Sequence, residues 1–269
     1  MKKPVVVCSA NQKGGVCKTT SLVILARGLA SKGKKVLVVD LDAQRGNISR
    51  ALGADTSNVQ GVYELLMDAQ GVPAIDTVQE VSDGLFVIEA DENIAGFELV
   101  NDMNKQFILD DRLHELLEDA SAPDFDYVFI DTPPKHVTFT ASALAASDYV
   151  LIPCVPQKAS IDGVAAIYKD RKAATRRMNP NLKILGVAVM MQDAQAANIQ
   201  KENVEVIESW AGQVGLDVFD SVIPRSRLIQ EAIDLREDWT EYSVENKRNK
   251  AIVDCWRFVD EFEKKVAGE

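Results

Sequence analysis

Short, continuous apolar runs alternate along the chain with longer amphipathic stretches. The runs "VVVCS" (5–9), "KVLVVD" (35–40), "LFVIEA" (85–90), "YVFID" (127–131), "YVLIPC" (149–154), "ILGVAVM" (184–190) and "VFDSVI" (218–223) are rich in β-branched residues. Most are continuous rather than alternating, as expected of strands covered on both faces in a parallel sheet. Helix-like stretches lie between or after them at 19–31, 102–119, 160–177, 195–211 and 247–265. This alternation predicts an α/β fold, a doubly wound and mostly parallel sheet with helices on both faces. No Pro/Gly-rich linker, repeat or low-complexity tract breaks the pattern, so residues 1–269 are expected to form a single domain. Ligands of such sheets bind at the carboxyl ends of the strands.

Composition narrows the class. A hydrophobic content of 46% with 26% charged residues is ordinary for a globular protein, and 269 residues can bury a sizeable core. No apolar run approaches a membrane span, and "PVVVCSA" after Lys2-Lys3 is too short for a secretion signal, so a cytoplasmic location is expected. Cys8, Cys17, Cys154 and Cys255 contain no C-x-x-C pair, which speaks against a zinc site, a disulfide framework or an iron–sulfur carrier. A net charge of −11 argues against nucleic acid coating the whole surface. Local patches stay compatible with it: "KDRKAATRR" (169–177) carries five bases against one acid, and "KRNK" follows at 247–250.

The chemistry concentrates in "SANQKGGVCKTTS" (9–21), which follows the first apolar run and opens a helix. An ordinary phosphate loop reads G-x-x-x-x-G-K-[ST]. Counting back from Lys18, Gln12 and Cys17 stand where its two glycines belong. The context is nevertheless right for an anion, because loop N–H groups and the positive end of a helix dipole converge there. Gly14 and Gly15 permit the turn, Lys18 is placed to reach the β- and γ-phosphates, the Thr19 hydroxyl to ligate Mg²⁺, and Thr20 to donate to the α-phosphate. Two further strand runs end in acids: "VVDLDAQRGN" presents Asp40 and Asp42, and "DYVFIDTPP" presents Asp131. One such Asp is a common turn residue; three strand ends meeting in one crevice suit a Mg·nucleotide site.

These motifs resemble the ParA/MinD group of P-loop ATPases, whose deviant Walker A loop, K-G-G-x-x-K-[ST], fits "KGGVCKT" at 13–19. "VLVVDLDAQ.GN", "DYVFIDTPP", "ALAASDYVLIPC" and "VIPRSRLIQEA" follow in the group's order, most like the ParA/Soj partition ATPases that lack an N-terminal helix-turn-helix domain. The resemblance implies that Lys13, Gly14, Gly15, Val16, Cys17, Lys18, Thr19 and Thr20 cradle ATP. Lys13 would reach across a homodimer to the partner's nucleotide. Asp42 would position the attacking water, Asp40 and Asp131 would lie near Mg²⁺, and Pro224 and Arg225 would line the base. It further implies an ATP-sandwich dimer, binding to nonspecific DNA on the nucleoid, and slow hydrolysis stimulated by a ParB-like adaptor. A plasmid, a chromosome or a protein assembly would be the cargo.

Three features modulate this expectation. The tail 251–269 holds five acids and three bases, unlike a basic membrane anchor, which disfavours a MinD-like membrane-cycling regulator. Lys169, Lys172 and Arg176 fall on one helical face; with Arg171, Arg177 and the Lys247, Arg248, Lys250 cluster they are the candidate DNA patch. Cys17 stands where relatives usually carry Gly. If the position is left-handed it would cost about 1–2 kcal/mol, weakening ATP binding about tenfold. A weakly hydrolysing nucleotide switch is the alternative this leaves open. A thiol beside Lys18 at a helix N-terminus is also a candidate redox sensor, through a lowered pKa.

Overall fold

The computed structural model describes all residues except 1–2, 43–46, 56–59, 68–70, 91, 101, 103, 135–136, 158–159, 193–196, 235–239, 242–248 and 269. Its strands are β1 (Val5–Ser9), β2 (Val36–Asp40), β3 (Gln79–Ser82), β4 (Leu85–Ile88), β5 (Tyr127–Asp131), β6 (Tyr149–Cys154), β7 (Lys183–Gln192) and β8 (Ile223–Pro224). They form one eight-stranded sheet in the order β3-β4-β2-β5-β1-β6-β7-β8. Every pairing is parallel except β3 with β4. The doubly wound, mostly parallel sheet expected from the apolar runs is therefore present.

Two hydrophobic cores sandwich the sheet. One face carries α1 (Lys18–Ser31), α2 (Asn47–Leu52), α9 (Arg227–Asp234) and α10 (Lys250–Ala267), which contribute Leu22, Ile48, Ile229 and Phe258 to one core. The other face carries α3 (Val62–Met67), α4 (Ala95–Glu98), α5 (Ile108–Glu118), α6 (Val137–Ala146), α7 (Ser160–Arg177) and α8 (Ala197–Val214), with Leu65, Phe97, Leu113, Phe139, Ile167 and Ile207 in the second. Alternation along β1 serves both: Val6 and Cys8 face one core and Val7 the other.

The sheet departs from the expected pattern at its edges. The run 218–223 is not a continuous strand: Val218 makes an isolated bridge to Val187, and β8 begins only at Ile223. The cause is Glu261 on α10, whose carboxylate accepts the backbone N–H groups of Asp220 and Ser221 at 2.8 and 2.9 Å, so they are not available to a ladder. At the opposite edge, β3 ("QEVS") is too short and polar to stand out as a strand. It is held by a hairpin to β4 whose turn uses Gly84 at φ +71°.

Strand order also locates a crevice. From β1 the chain leaves through α1 to β2, while from its neighbour β5 it leaves through α6 to β6 on the other side. Adjacent strands whose connections depart in opposite directions open a gap at their carboxyl ends.

Candidate functional site

That gap is filled by the segment 10–17 and by three aligned strand ends. Asp40 pairs in register with Asp131, and Ser9 pairs with Asp131 from the other side. The two carboxylates are thus held at one level, 0% and 1% exposed. Burial pushes both up the pH scale, Asp40 to about 6, and Asp131 further because Asp40 adds its own charge.

Their surroundings differ. Asp40 is saturated by its own chain: Oδ1 accepts from the Asp42 N–H at 3.0 Å, and Oδ2 accepts from the Ser49 hydroxyl at 2.7 Å and its N–H at 3.3 Å. It therefore fastens the ends of the segment 42–49, and Ser49, in which the sequence shows no motif, is its anchor. Asp131 Oδ2 accepts from the Thr19 hydroxyl at 2.7 Å, whereas its Oδ1 is buried without a hydrogen-bond partner. A buried carboxylate oxygen of this kind beside a hydroxyl fits a hydrated divalent cation. Among the described residues no group of three or more His, Cys, Asp or Glu side chains could hold a metal alone. A cation at Thr19 and Asp131 would take its remaining ligands from water and phosphate.

Lys18 begins α1 and is only 7% exposed; desolvation lowers its pKa, with Asp131 and Asp42 opposing the shift. Gly15 has φ +72°, the left-handed region glycine tolerates. Val16 points into the core at 1% exposure, leaving its backbone to face the loop. Thr20, Met190, Pro224, Arg225 and Gln230 line a small cavity of about 120 Å³ beside the first turn of α1, so Pro224 and Arg225 do come together with the loop. Met191, in the same wall, is bulged between Met190 and Gln192 with φ +56°.

Cys17 does adopt the left-handed backbone, φ 69° and ψ 34°. Its carbonyl accepts the Ser21 N–H at 2.9 Å, the first hydrogen bond of α1. The left-handed backbone on which the expected loss in nucleotide affinity depends is therefore present. The redox expectation is corrected. Burial at 8% exposure raises the thiol to about 11, outweighing the lowering by Thr20, Arg225 and Lys18. A thiol kept protonated is a poor sensor.

The basic candidates are less unified than their spacing predicts. Lys169, Arg176 and Arg177 are exposed on α7. Arg171 is turned inward, its Nε donating to the Leu182 carbonyl at 3.1 Å, and Lys172 lies over the Tyr168 ring at 4.4 Å. Lys250 starts α10, on the opposite face of the sheet, so within one chain it does not extend the α7 patch. Lys247 and Arg248 lie outside the described residues.

Comparison with known proteins decides the family. A family described as AAA domain matches residues 4–184. The chromosome partitioning protein ParA of Myxococcus xanthus is 34% identical over 245 residues, 90% of this chain and 83% of the relative. The chain belongs to the ParA/Soj family of partition ATPases. The sporulation initiation inhibitor protein Soj of Bacillus subtilis is 36% identical over 231 residues, covering 84% of this ParA/Soj chain and 87% of the relative. Among solved structures, a cobyrinic acid a,c-diamide synthase of Mycobacterium smegmatis with bound ADP and magnesium has a TM-score of 0.81 and 25% identity, over 99% of this chain and 97% of that one. The synthase's activity is a different one, and a shared fold does not transfer it.

Proposed function

We propose that this ParA/Soj chain binds ATP with Mg²⁺ in the β1–β5 crevice and forms an ATP-dependent homodimer. The dimer binds DNA without sequence preference and moves a cargo through adaptor-stimulated hydrolysis. The observation that carries the reading is the unpartnered Asp131 Oδ1 beside Thr19, at the mouth of a loop whose backbone and lysines suit phosphates. Bound there, Mg²⁺ would offset negative charge on the phosphate oxygens. Thr19 would hold the ion and Asp131 its water shell. Lys18 would contact the β- and γ-phosphates, with Gly14, Gly15 and the backbone of Val16 and Cys17 supplying N–H groups, and Thr20 the α-phosphate. Asp42 would accept a hydrogen bond from the attacking water, oriented by the Asp40–Ser49 anchor. Pro224 and Arg225 would flank the base.

Lys13 from each subunit would offset the phosphate charge brought into the interface, which ties dimerisation to ATP rather than ADP. Lys169, Arg176 and Arg177 are the preferred DNA contacts, and a ParB-like adaptor is the preferred stimulator. The relatives' names favour chromosomal DNA as the cargo. A membrane role for α10 is disfavoured because its apolar side, with Cys255, Phe258, Val259 and Phe262, is buried in the core. Among the described residues no helix is long and apolar enough to cross a membrane. The cytoplasm suits such a cycle.

The test is molecular mass in solution with saturating ATP, ADP or neither, alongside calorimetry. Doubling of mass with ATP alone supports the reading. A single mass throughout, with no uptake of ATP, overturns it.

A further inference from the structure

Three consecutive loop residues reach the same neighbouring unit: β6, the helix that follows it and the link between them. Asn11, 2% exposed, donates from Nδ2 to the Pro153 carbonyl at 2.9 Å and accepts the Lys13 N–H on Oδ1 at 3.0 Å. Gln12 Nε2 donates to Asp170 Oδ2 on α7 at 2.8 Å. Lys13 Nζ donates to Gln157 Oε1 at 3.2 Å. Both ends of the Asn11 amide are used, so its orientation is fixed, and with it the main chain at Lys13.

Gly163 completes the arrangement. It lies within α7 without a positive φ, so no backbone conformation demands glycine there, and glycine weakens a helix interior relative to alanine. Space accounts for it: a Cβ at 163 would sit 2.4 Å from Asn11 Oδ1, 3.2 Å from Cγ and 3.3 Å from Nδ2. Asn11 is buried and tied at both ends, so it cannot yield cheaply. Asp170 lies seven residues on, about two helical turns along α7.

We propose that Gly163 and Asp170 are positioning residues for Lys13: α7 is the template against which the front of the loop is set, once through Asn11 and once through Gln12. The inference rests on the reading that Lys13 acts across a dimer. Lys18 and Thr19 are set separately, by α1 and by Asp131, so disturbing the α7 template would weaken dimerisation while leaving nucleotide binding by the single chain intact.

The experiment compares the full chain with Gly163→Ala, Asp170→Ala, Asp170→Asn and Lys13→Ala. It measures Mg·ATP affinity by calorimetry and the dimer dissociation constant by sedimentation. Gly163→Ala is expected to weaken the dimer at least about tenfold, and Asp170→Ala about two- to tenfold, the range to which removal of one hydrogen bond converts. Asp170→Asn keeps an acceptor for Gln12 and stays within about twofold of the parent. Mg·ATP affinity of the single chain changes less than about threefold in the Gly163 and Asp170 variants. If Lys13→Ala abolishes the dimer while Gly163→Ala and Asp170→Ala dimerise like the parent, the inference fails and the functional reading survives. If Lys13→Ala dimerises normally, the functional reading fails and takes the inference with it. Should Gly163→Ala not fold, the Asp170 pair decides: loss with Ala and rescue with Asn supports positioning, equal behaviour overturns it.

Discussion

The strand-end crevice and the outer face of α7 are built on opposite terms. In the crevice, Asp40 and Asp131 are buried at one register level and wired to Ser49, Asp42 and Thr19, so each side chain has one orientation. On α7, Lys169, Arg176 and Arg177 are exposed. Buried charge in a low-dielectric site is costly and specific, whereas exposed charge is cheap and replaceable. The first region should therefore respond to single substitutions and the second only to several at once.

Lys18→Ala gives the largest effect. Removing a largely buried ammonium that is proposed to face phosphates would lower ATP affinity by about two orders of magnitude, since each charged hydrogen bond contributes about 1.5–3 kcal/mol. Titration with ATP and Mg²⁺ measures it. A loss below about threefold would mean that the crevice is not the nucleotide site, and the contrast with α7 would dissolve.

Asp131→Asn sharpens the same side of the comparison, because function and stability should move in opposite directions. The raised pKa of Asp131 means that the folded chain holds a proton more tightly than the unfolded one. The stability linked to that proton is fully present below the unfolded value, near 3.8, and is lost as pH rises through the folded value. Without nucleotide, Asp131→Asn should therefore melt several degrees above the parent at pH 8 and draw level with it near pH 4, while Mg²⁺-dependent ATP binding is lost. Identical melting shifts at both pH values would remove the buried-charge account.

On α7, single changes should be mild and their sum large. Removing one base that neutralises a DNA phosphate reduces the slope of log affinity against log salt by about 0.9. A combined Lys169→Ala, Arg176→Ala, Arg177→Ala chain should lose most ATP-dependent DNA binding at moderate salt and still bind ATP normally. Arg171→Ala is the internal control. Its Nε donates to the Leu182 carbonyl, so it should cost about 0.5–1.5 kcal/mol of stability and leave DNA affinity within about twofold. Arg171→Ala weakening DNA binding as much as Arg176→Ala would show that the Leu182 carbonyl is not what occupies it.

The same division explains how much of the molecule its sequence discloses. Lys18, Thr19, Asp40 and Asp131 were legible because a phosphate loop and acidic strand ends constrain residue type at fixed offsets from apolar runs. The central strands were legible because continuous Val and Ile runs have few alternatives to a covered sheet. The edges were not: β3 is short and polar, and the interrupted 218–222 segment depends on Glu261, some forty residues away on another helix. The basic run 169–177 put Arg171 among the candidates, but the register of α7 against the loop before β7 turned it inward. Ser49, Gly163 and Asp170 carry no local motif, and only the packing of separate elements gives them partners.

The smallest expected effect falls on Cys17→Gly, and it separates strain in folding from strain in binding. The residue sits at φ 69°, its carbonyl accepts the first hydrogen bond of α1, and its thiol is buried. Glycine would release about 1–2 kcal/mol of backbone strain. It would also add about 0.5–1 kcal/mol of chain entropy to be lost on folding and give up the packing of a small side chain. The net gain in stability, read from the denaturant midpoint at constant slope, is therefore expected to stay below about 1 kcal/mol. ATP affinity should shift less than about threefold if α1, whose Ser21 N–H bonds the Cys17 carbonyl, keeps this backbone without phosphate. A tenfold tightening of ATP with no change in midpoint would show instead that the left-handed turn is drawn in by the nucleotide. Cys17 would then belong with the crevice residues that answer to single substitutions, rather than with the scaffold beneath them.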